Sequence, residues 1–112
     1  MLRSNLDYLA TCLYEAGVHH WAVSPGSRNA PIIAGLVKHG GFHIHSFPDE
    51  RSAAFAALGM AQATQYTCGV LCTSGTAVLN LYPGICEAYY QRIPVIALTA
   101  DRPEELIDQW DG

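Results

Sequence analysis

The stretch "CGVLCTSGTAVLN", residues 68–80, decides the fold. Its first five residues, Cys68 to Cys72, run apolar without the alternation of a half-exposed strand. Such a strand is covered on both faces, as in a parallel sheet held between two helical layers. Thr73, Ser74, Gly75 and Thr76 then form a turn of small, mostly polar residues, and a helical apolar pattern follows. Buried strand, short turn and helix in that order are one half of a βαβ unit.

The same alternation extends in both directions. "NLDYLATCLYEAG" sets Leu6, Leu9, Leu13 and Ala16 at helical spacing, with Gly17 as a natural stop. "HHWAVS" is a short strand broken by Pro25 and Gly26, and "RNAPIIAGLVKHGG" reads as a helix with Pro31 in its first turn. "FHIHSF" is a strand and "DERSAAFAALGMAQAT" a long Ala-rich helix. "TAVLNLYPGICEAYYQ" is helical with a kink or break at Pro83. "PVIALTA" reads as a second fully apolar strand, and "DRPEEL" as the start of a further helix. The expected class is α/β, a doubly wound parallel sheet with helices on both faces and right-handed connections. The text reaches "IDQWDG" soon after that last helix begins, so the expectation is a domain truncated at its C-terminus.

Composition narrows the function. A chain of 112 residues is one domain at most. With half its residues apolar and 14% charged, part of its surface is expected to be covered by another domain or subunit. A net charge of −4 and the lack of a basic stripe give no case for nucleic acid. Cys12, Cys68, Cys72 and Cys86 show no metal or disulfide spacing and read as reduced, buried thiols. No apolar run approaches the roughly 18–20 residues of a membrane span, and no leader pattern precedes the first helix. A soluble, cytoplasmic protein is expected.

In a parallel sheet ligands gather at the carboxyl ends of the strands, where the following helices present free N–H groups. The four junctions there are "SPGSRN", "FPDERS", "CTSGTA" and "TADRPEE", and they hold nearly all the unusual polar residues. In the first, Ser27 or Asn29 suits a helix cap, while Arg28 projects where an anion would dock. In the second, Asp49 is the natural cap, and Glu50 is either a second capping carboxylate or a catalytic one. In the third, Gly75 permits close backbone approach and Ser74 and Thr76 offer hydroxyls, without the lysine of a Walker loop. In the fourth, Asp101 to Glu104 fits a capping pattern, but Arg102 opposes the helix dipole and so points to function. His19, His20, His43 and His45 have no neighbouring Cys or carboxylate at metal-ligand spacing and read as structural or solvated. Trp21, Tyr89 and Tyr90 read as core or interface aromatics.

On "SPGSRNAP", "FPDERSAAFAALGMA", "TSGTAVLNLYPG" and "LTADRPEELID", taken in this order, the chain resembles the 2-succinyl-5-enolpyruvyl-6-hydroxy-3-cyclohexene-1-carboxylate (SEPHCHC) synthase family of menaquinone biosynthesis. These are thiamine-diphosphate enzymes, and the likeness, which covers almost the whole chain, is to their N-terminal pyrimidine-binding domain. The resemblance implies that Glu50 hydrogen-bonds a ring nitrogen of the cofactor's aminopyrimidine and is catalytic. It implies that Thr73, Ser74, Gly75 and Thr76 line the cofactor, and that Ser27, Arg28 and Arg102 hold carboxylate substrates. Those substrates would be 2-oxoglutarate, which is decarboxylated, and isochorismate, to which the succinyl-semialdehyde unit is added. Thiamine diphosphate and Mg²⁺ are the implied cofactors, with the metal ligands outside this chain.

The resemblance further implies a homodimer or tetramer of full-length subunits, whose central and diphosphate-binding domains this chain lacks. Residues 1–112 alone would then be inactive, carrying half a site. Trp110 and Asp111 depart from the family's usual continuation, a segment with amide side chains. Two other readings compete. A non-catalytic α/β anion-binding module would gain nothing from Glu50 at this edge. An acetolactate synthase-like enzyme would not need Arg28 and Arg102 for dicarboxylate substrates.

Overall fold

The computed structural model of the chain describes residues 4–110. Its elements run α1 (Asn5–Glu15), β1 (His20–Val23), α2 (Ala30–His39), β2 (His43–Ser46), α3 (Glu50–Thr64), β3 (Cys68–Cys72), α4 (Thr76–Asn80), α5 (Tyr82–Gln91) and β4 (Val95–Thr99). A single 3-10 turn at Glu104–Leu106 follows. Asp111 and Gly112, from the closing segment, lie outside the described residues.

Local chemistry sets these boundaries. Ser4 and Asp7 form a reciprocal capping box at the start of α1, the Ser4 hydroxyl accepting from the Asp7 N–H at 3.1 Å. Pro31 lies in the first turn of α2, and Gly40 ends that helix in the left-handed region. Asp49 caps α3 as expected, its carboxylate accepting from the Ser52 N–H at 3.0 Å. Pro83 breaks the long helical pattern into α4 and α5: it has no N–H to donate, and its ring would crowd the carbonyl of Leu79 in a continuous helix.

The strands form one sheet in the order β2-β1-β3-β4, with every pair parallel. The chain steps from β1 outward to β2, then crosses back over β1 to β3. That reversal makes the boundary between β1 and β3 the topological switch point. Two cores flank the sheet. On one face Trp21, Val23 and Leu71 pack with Ala10 and Leu36 from α1 and α2. On the other, Ala22, Val70 and Cys72 pack with Ala53, Ala54 and Ala57 of α3 and with Ala77 and Leu81 around α4. β3 is buried along its whole length, as its unbroken apolar run demands.

Three expectations are corrected. β4 is equally apolar but is an edge strand, with Ile96, Ala97 and Thr99 exposed, because no further strand covers it among the described residues. "DRPEEL" does not open an α-helix. Pro103 is extended at ψ 142°, so only the 3-10 turn forms, and the Asp101 carboxylate accepts from the adjacent Arg102 N–H at 2.9 Å instead of capping. The cysteines are all free, but Cys12 is exposed and Cys86 half-buried, so only Cys68 and Cys72 of β3 fit the buried reading. Of the aromatics, Trp21 is fully buried, while Tyr89 and Tyr90 are exposed on α5. No helix among the described residues is long and apolar enough to cross a membrane.

Candidate functional site

Because all four strands are parallel, their carboxyl ends share one edge, and hydrogen bonds continue the ladders past them. The Ser24 N–H donates to the Leu71 carbonyl at 2.9 Å, the Phe47 N–H to Val23 at 2.9 Å, and the Ala100 N–H to Cys72 at 3.1 Å. Ser24, itself buried, also donates its hydroxyl to the Phe47 carbonyl at 2.7 Å. The first residue of the loops after β1, β2 and β4 is thereby stitched to a neighbouring strand.

Further ties shape the loops above. Asn29, expected as a possible cap of α2, makes no capping hydrogen bond. Its buried amide turns back instead, accepting from the Gly26 N–H at 2.8 Å and donating to the Ser24 carbonyl at 3.0 Å. That folds "SPGSRN" into a fixed turn and presses Gly26 against the next loop. A Cβ on Gly26 would stand 2.6 Å from Thr73 Cβ, so only glycine permits this approach. Gly75 adopts φ 76°, which turns the chain into α4 and lies under the Arg102 guanidinium, 3.6 Å from where a Cβ would be.

An open cleft of about 610 Å³ results, lined by Glu50, Thr73, Ser74, Thr76, Ala77, Leu79 and Asn80. Glu50 is half-buried on the first turn of α3, and its Oε2 accepts from Asn80 Nδ2 at 2.9 Å. The same Nδ2 donates to Asp49 Oδ1 at 2.9 Å. Asn80, followed by the Ser52 contacts, holds the Asp49 carboxyl below the usual carboxylate range. Cys72 ends β3 nearby, and burial, then the Glu50 charge, pushes its thiol up to about 11. Ser74 Oγ is buried with no hydrogen-bond partner among the described residues. A buried hydroxyl in that state costs on the order of 1–3 kcal/mol until something pairs with it.

The cleft thus brings together Glu50, Thr73, Ser74 and Thr76, while Gly75 joins two of these lining residues and has the Arg102 guanidinium beside it. Arg102 also borders a smaller cavity of about 390 Å³ with Asp108 and Trp110. Ser27 and Arg28 do not line the cleft that holds Glu50. They stand on the adjoining turn, joined to it through the Gly26–Thr73 contact. Asn80 was missed in the sequence. Its one signal is an amide within the apolar run "AVLNLYP", where asparagine is a poor helix former.

Residues 4–111 match the family described as thiamine pyrophosphate enzyme, N-terminal TPP binding domain. The chain belongs to that family. Thiamine pyrophosphate is thiamine diphosphate under its older name, and the cleft lies at the carboxyl edge of the sheet, between the start of α3 and the turn after β3. The polar wall with its unpartnered Ser74 hydroxyl, set against apolar Ala77 and Leu79, suits a ligand that is part aromatic and part polar.

Among similar proteins is the 2-succinyl-5-enolpyruvyl-6-hydroxy-3-cyclohexene-1-carboxylate synthase of Desulfotalea psychrophila. It is 55% identical over 110 residues, which are 98% of this chain and 20% of that protein. The enzymes of the same name from Flavobacterium johnsoniae and Geobacillus thermodenitrificans are 51% and 52% identical over 96 residues, 86% of this chain and 17% and 16% of theirs. The chain therefore spans a fifth or less of the length of these curated relatives.

Proposed function

We propose that this chain is the pyrimidine-binding part of a SEPHCHC synthase acting on 2-oxoglutarate and isochorismate with thiamine diphosphate and Mg²⁺. The observation that supports this most is the convergence of Glu50, Thr73, Ser74 and Thr76 on one cleft whose wall holds an unpartnered buried hydroxyl. The shared name of relatives that match along most of the chain supports it too.

In this reading Glu50 shares a proton with a ring nitrogen of the aminopyrimidine, and the first turn of α3 holds it at the required edge. Thr73, Ser74, Gly75 and Thr76 form the wall against which the cofactor rests, with Ser74 Oγ gaining the partner it lacks. Arg28, with Ser27 beside it, and Arg102 anchor substrate carboxylates, for which a planar guanidinium offers paired donors. Bound thiamine diphosphate supplies the electron-accepting thiazolium ring that decarboxylation of a 2-oxo acid requires. The Mg²⁺ ligands and the diphosphate-binding domain belong to parts of the longer, cytoplasmic, oligomeric protein outside residues 1–112, and the chain alone is inactive.

The test is Glu50→Gln in the full-length protein. Loss of a positioned proton-transfer group lowers turnover by roughly 10²-fold or more while leaving the fold intact. Near-normal turnover would sink the assignment. Arg28→Ala and Arg102→Ala raise the concentration of 2-oxoglutarate or isochorismate needed, and unchanged substrate dependence in both removes their anchoring role.

A further inference from the structure

We propose that Asn80 is a positioning residue for Glu50: by donating to Asp49 and Glu50 at once, its side-chain amide aims the Glu50 carboxylate into the cleft. The inference rests on Glu50 being the carboxylate that meets the cofactor.

Asn80 lies 30 and 31 residues from its two partners in sequence and meets them through the fold alone. It is the last residue of α4, and Pro83 makes that helix end there. At this corner the side chain reaches across to the start of α3. One Nδ2 has two protons, and each goes to a different carboxylate oxygen at 2.9 Å. The orientation of the amide is fixed by chemistry: ionised carboxylates only accept, so the NH₂ end must face them.

The consequence is a relay of rigid contacts. Asp49 Oδ2 holds the Ser52 N–H and hydroxyl, both at 3.0 Å, which fixes the first turn of α3. Asp49 Oδ1 holds Asn80, and Asn80 holds Glu50 Oε2. A glutamate side chain has three rotatable bonds and on a helix's first turn would sample several rotamers. Tethering Oε2 to α4, beside the cleft wall of Thr76 and Ala77, restricts it to conformations directed there. Asn80 also separates two adjacent carboxylates with a donor, where a third acceptor would add repulsion.

This reading makes an unusual ranking. Asparagine and aspartate have nearly the same shape, so a purely space-filling role makes Asn80→Asp the mildest change. A donor role makes it the worst, below Asn80→Ala, with Asn80→Gln nearest the native residue. The first measurement needs no cofactor. In the full-length apoprotein labelled with ¹⁵N-asparagine, the two Asn80 Nδ2 protons give separate signals. Glu50→Gln shifts one and Asp49→Asn the other. If neither substitution moves the Asn80 signals, the bridge does not exist and the proposal falls, whatever Glu50 does.

The second measurement is deuterium exchange of the acidic thiazolium ring proton of bound thiamine diphosphate. Its rate falls about tenfold or more in Asn80→Ala, the loss of one charge-assisted hydrogen bond. It falls further in Asn80→Asp, and Asn80→Ala adds nothing once Glu50→Gln is present. Asn80→Asp exchanging like the native protein overturns the proposal. Normal exchange in Glu50→Gln itself overturns the functional reading, and with the amide shifts intact the Asn80 bridge still stands as structure.

Discussion

Substituting Gly26 by alanine tests whether the turn that carries Ser27 and Arg28 is locked to the cleft wall. The added Cβ would lie 2.6 Å from Thr73 Cβ, 2.7 Å from its Cγ2 and 3.0 Å from its Oγ1. These atoms sit at the root of a β-branched side chain and cannot swing away as the end of a long one would. Overpacking of this kind costs about 1–3 kcal/mol. Glycine to alanine also stiffens the unfolded chain, which returns about 0.4–1 kcal/mol. The net loss is about 1–2 kcal/mol, or a melting temperature lower by roughly 5–10 °C in a domain of this size. Thermal and urea unfolding of Gly26→Ala measures it. Thr73→Ser should relieve it only in part, because Cβ remains, whereas Thr73→Gly removes every clashing atom. A double-mutant cycle with Thr73→Gly then isolates the coupling. A stability change under about 0.5 kcal/mol in Gly26→Ala, with no coupling to Thr73, refutes the contact.

Acid should destabilise the fold in two stages. His20 stacks on His43 with ring centroids 4.6 Å apart, and burial first, then the His43, His45 and His19 charges, lowers it below its usual 6.5. A group lowered in the folded state binds its proton more readily when unfolded, so stability falls as pH drops below about 6.5. Asp7, held low chiefly by the Ser4 N–H, and Asp49, held low chiefly by Asn80, lie below their ordinary 3.8 and remove stability only as pH falls under that value. Urea titrations against pH should lose the upper stage in His20→Gln and weaken the lower one in Asp7→Asn, and an unchanged upper stage in His20→Gln would contradict the first assignment. Thiol reactivity should rank the cysteines. Exposed Cys12 alkylates first and Cys86 next, while Cys72, with its thiol near 11, and buried Cys68 react only on unfolding. Mass-resolved alkylation at neutral pH checks the order, and early labelling of Cys72 would mean that β3 is not covered as described.

How much of this was legible depended on whether a signal was local. The strand at Cys68–Cys72 could be read because a fully apolar run fits only a covered strand, and the junction after it followed. The Asp49 cap was legible because it concerns four consecutive residues. β4 was read as covered on both faces because its composition matches that of β3, yet composition does not reveal which strand ends at a sheet's edge. The Asp101-to-Glu104 pattern misled because a capping box needs helical residues inside it, and an extended Pro103 prevents that. Asn29 was read only as a possible cap and Asn80 was not read at all, for a common reason. Each acts through partners set by tertiary contact or by a turn's return path, and an isolated asparagine carries no sign of either.

The hydrogen bonds that carry the ladders one residue beyond the strands bear on the entropy of ligand capture. Ordering one residue's backbone costs about 1–2 kcal/mol, and a site made of loose loops loses that for every residue it freezes. Here Ser24, Phe47 and Ala100 are tied to neighbouring strands, and Asn29 closes the turn above Ser24. Three of the four loops that leave the carboxyl edge of the sheet are therefore anchored at their first residue before any ligand arrives. An arriving molecule can spend its contacts on affinity and aim instead of on building the site.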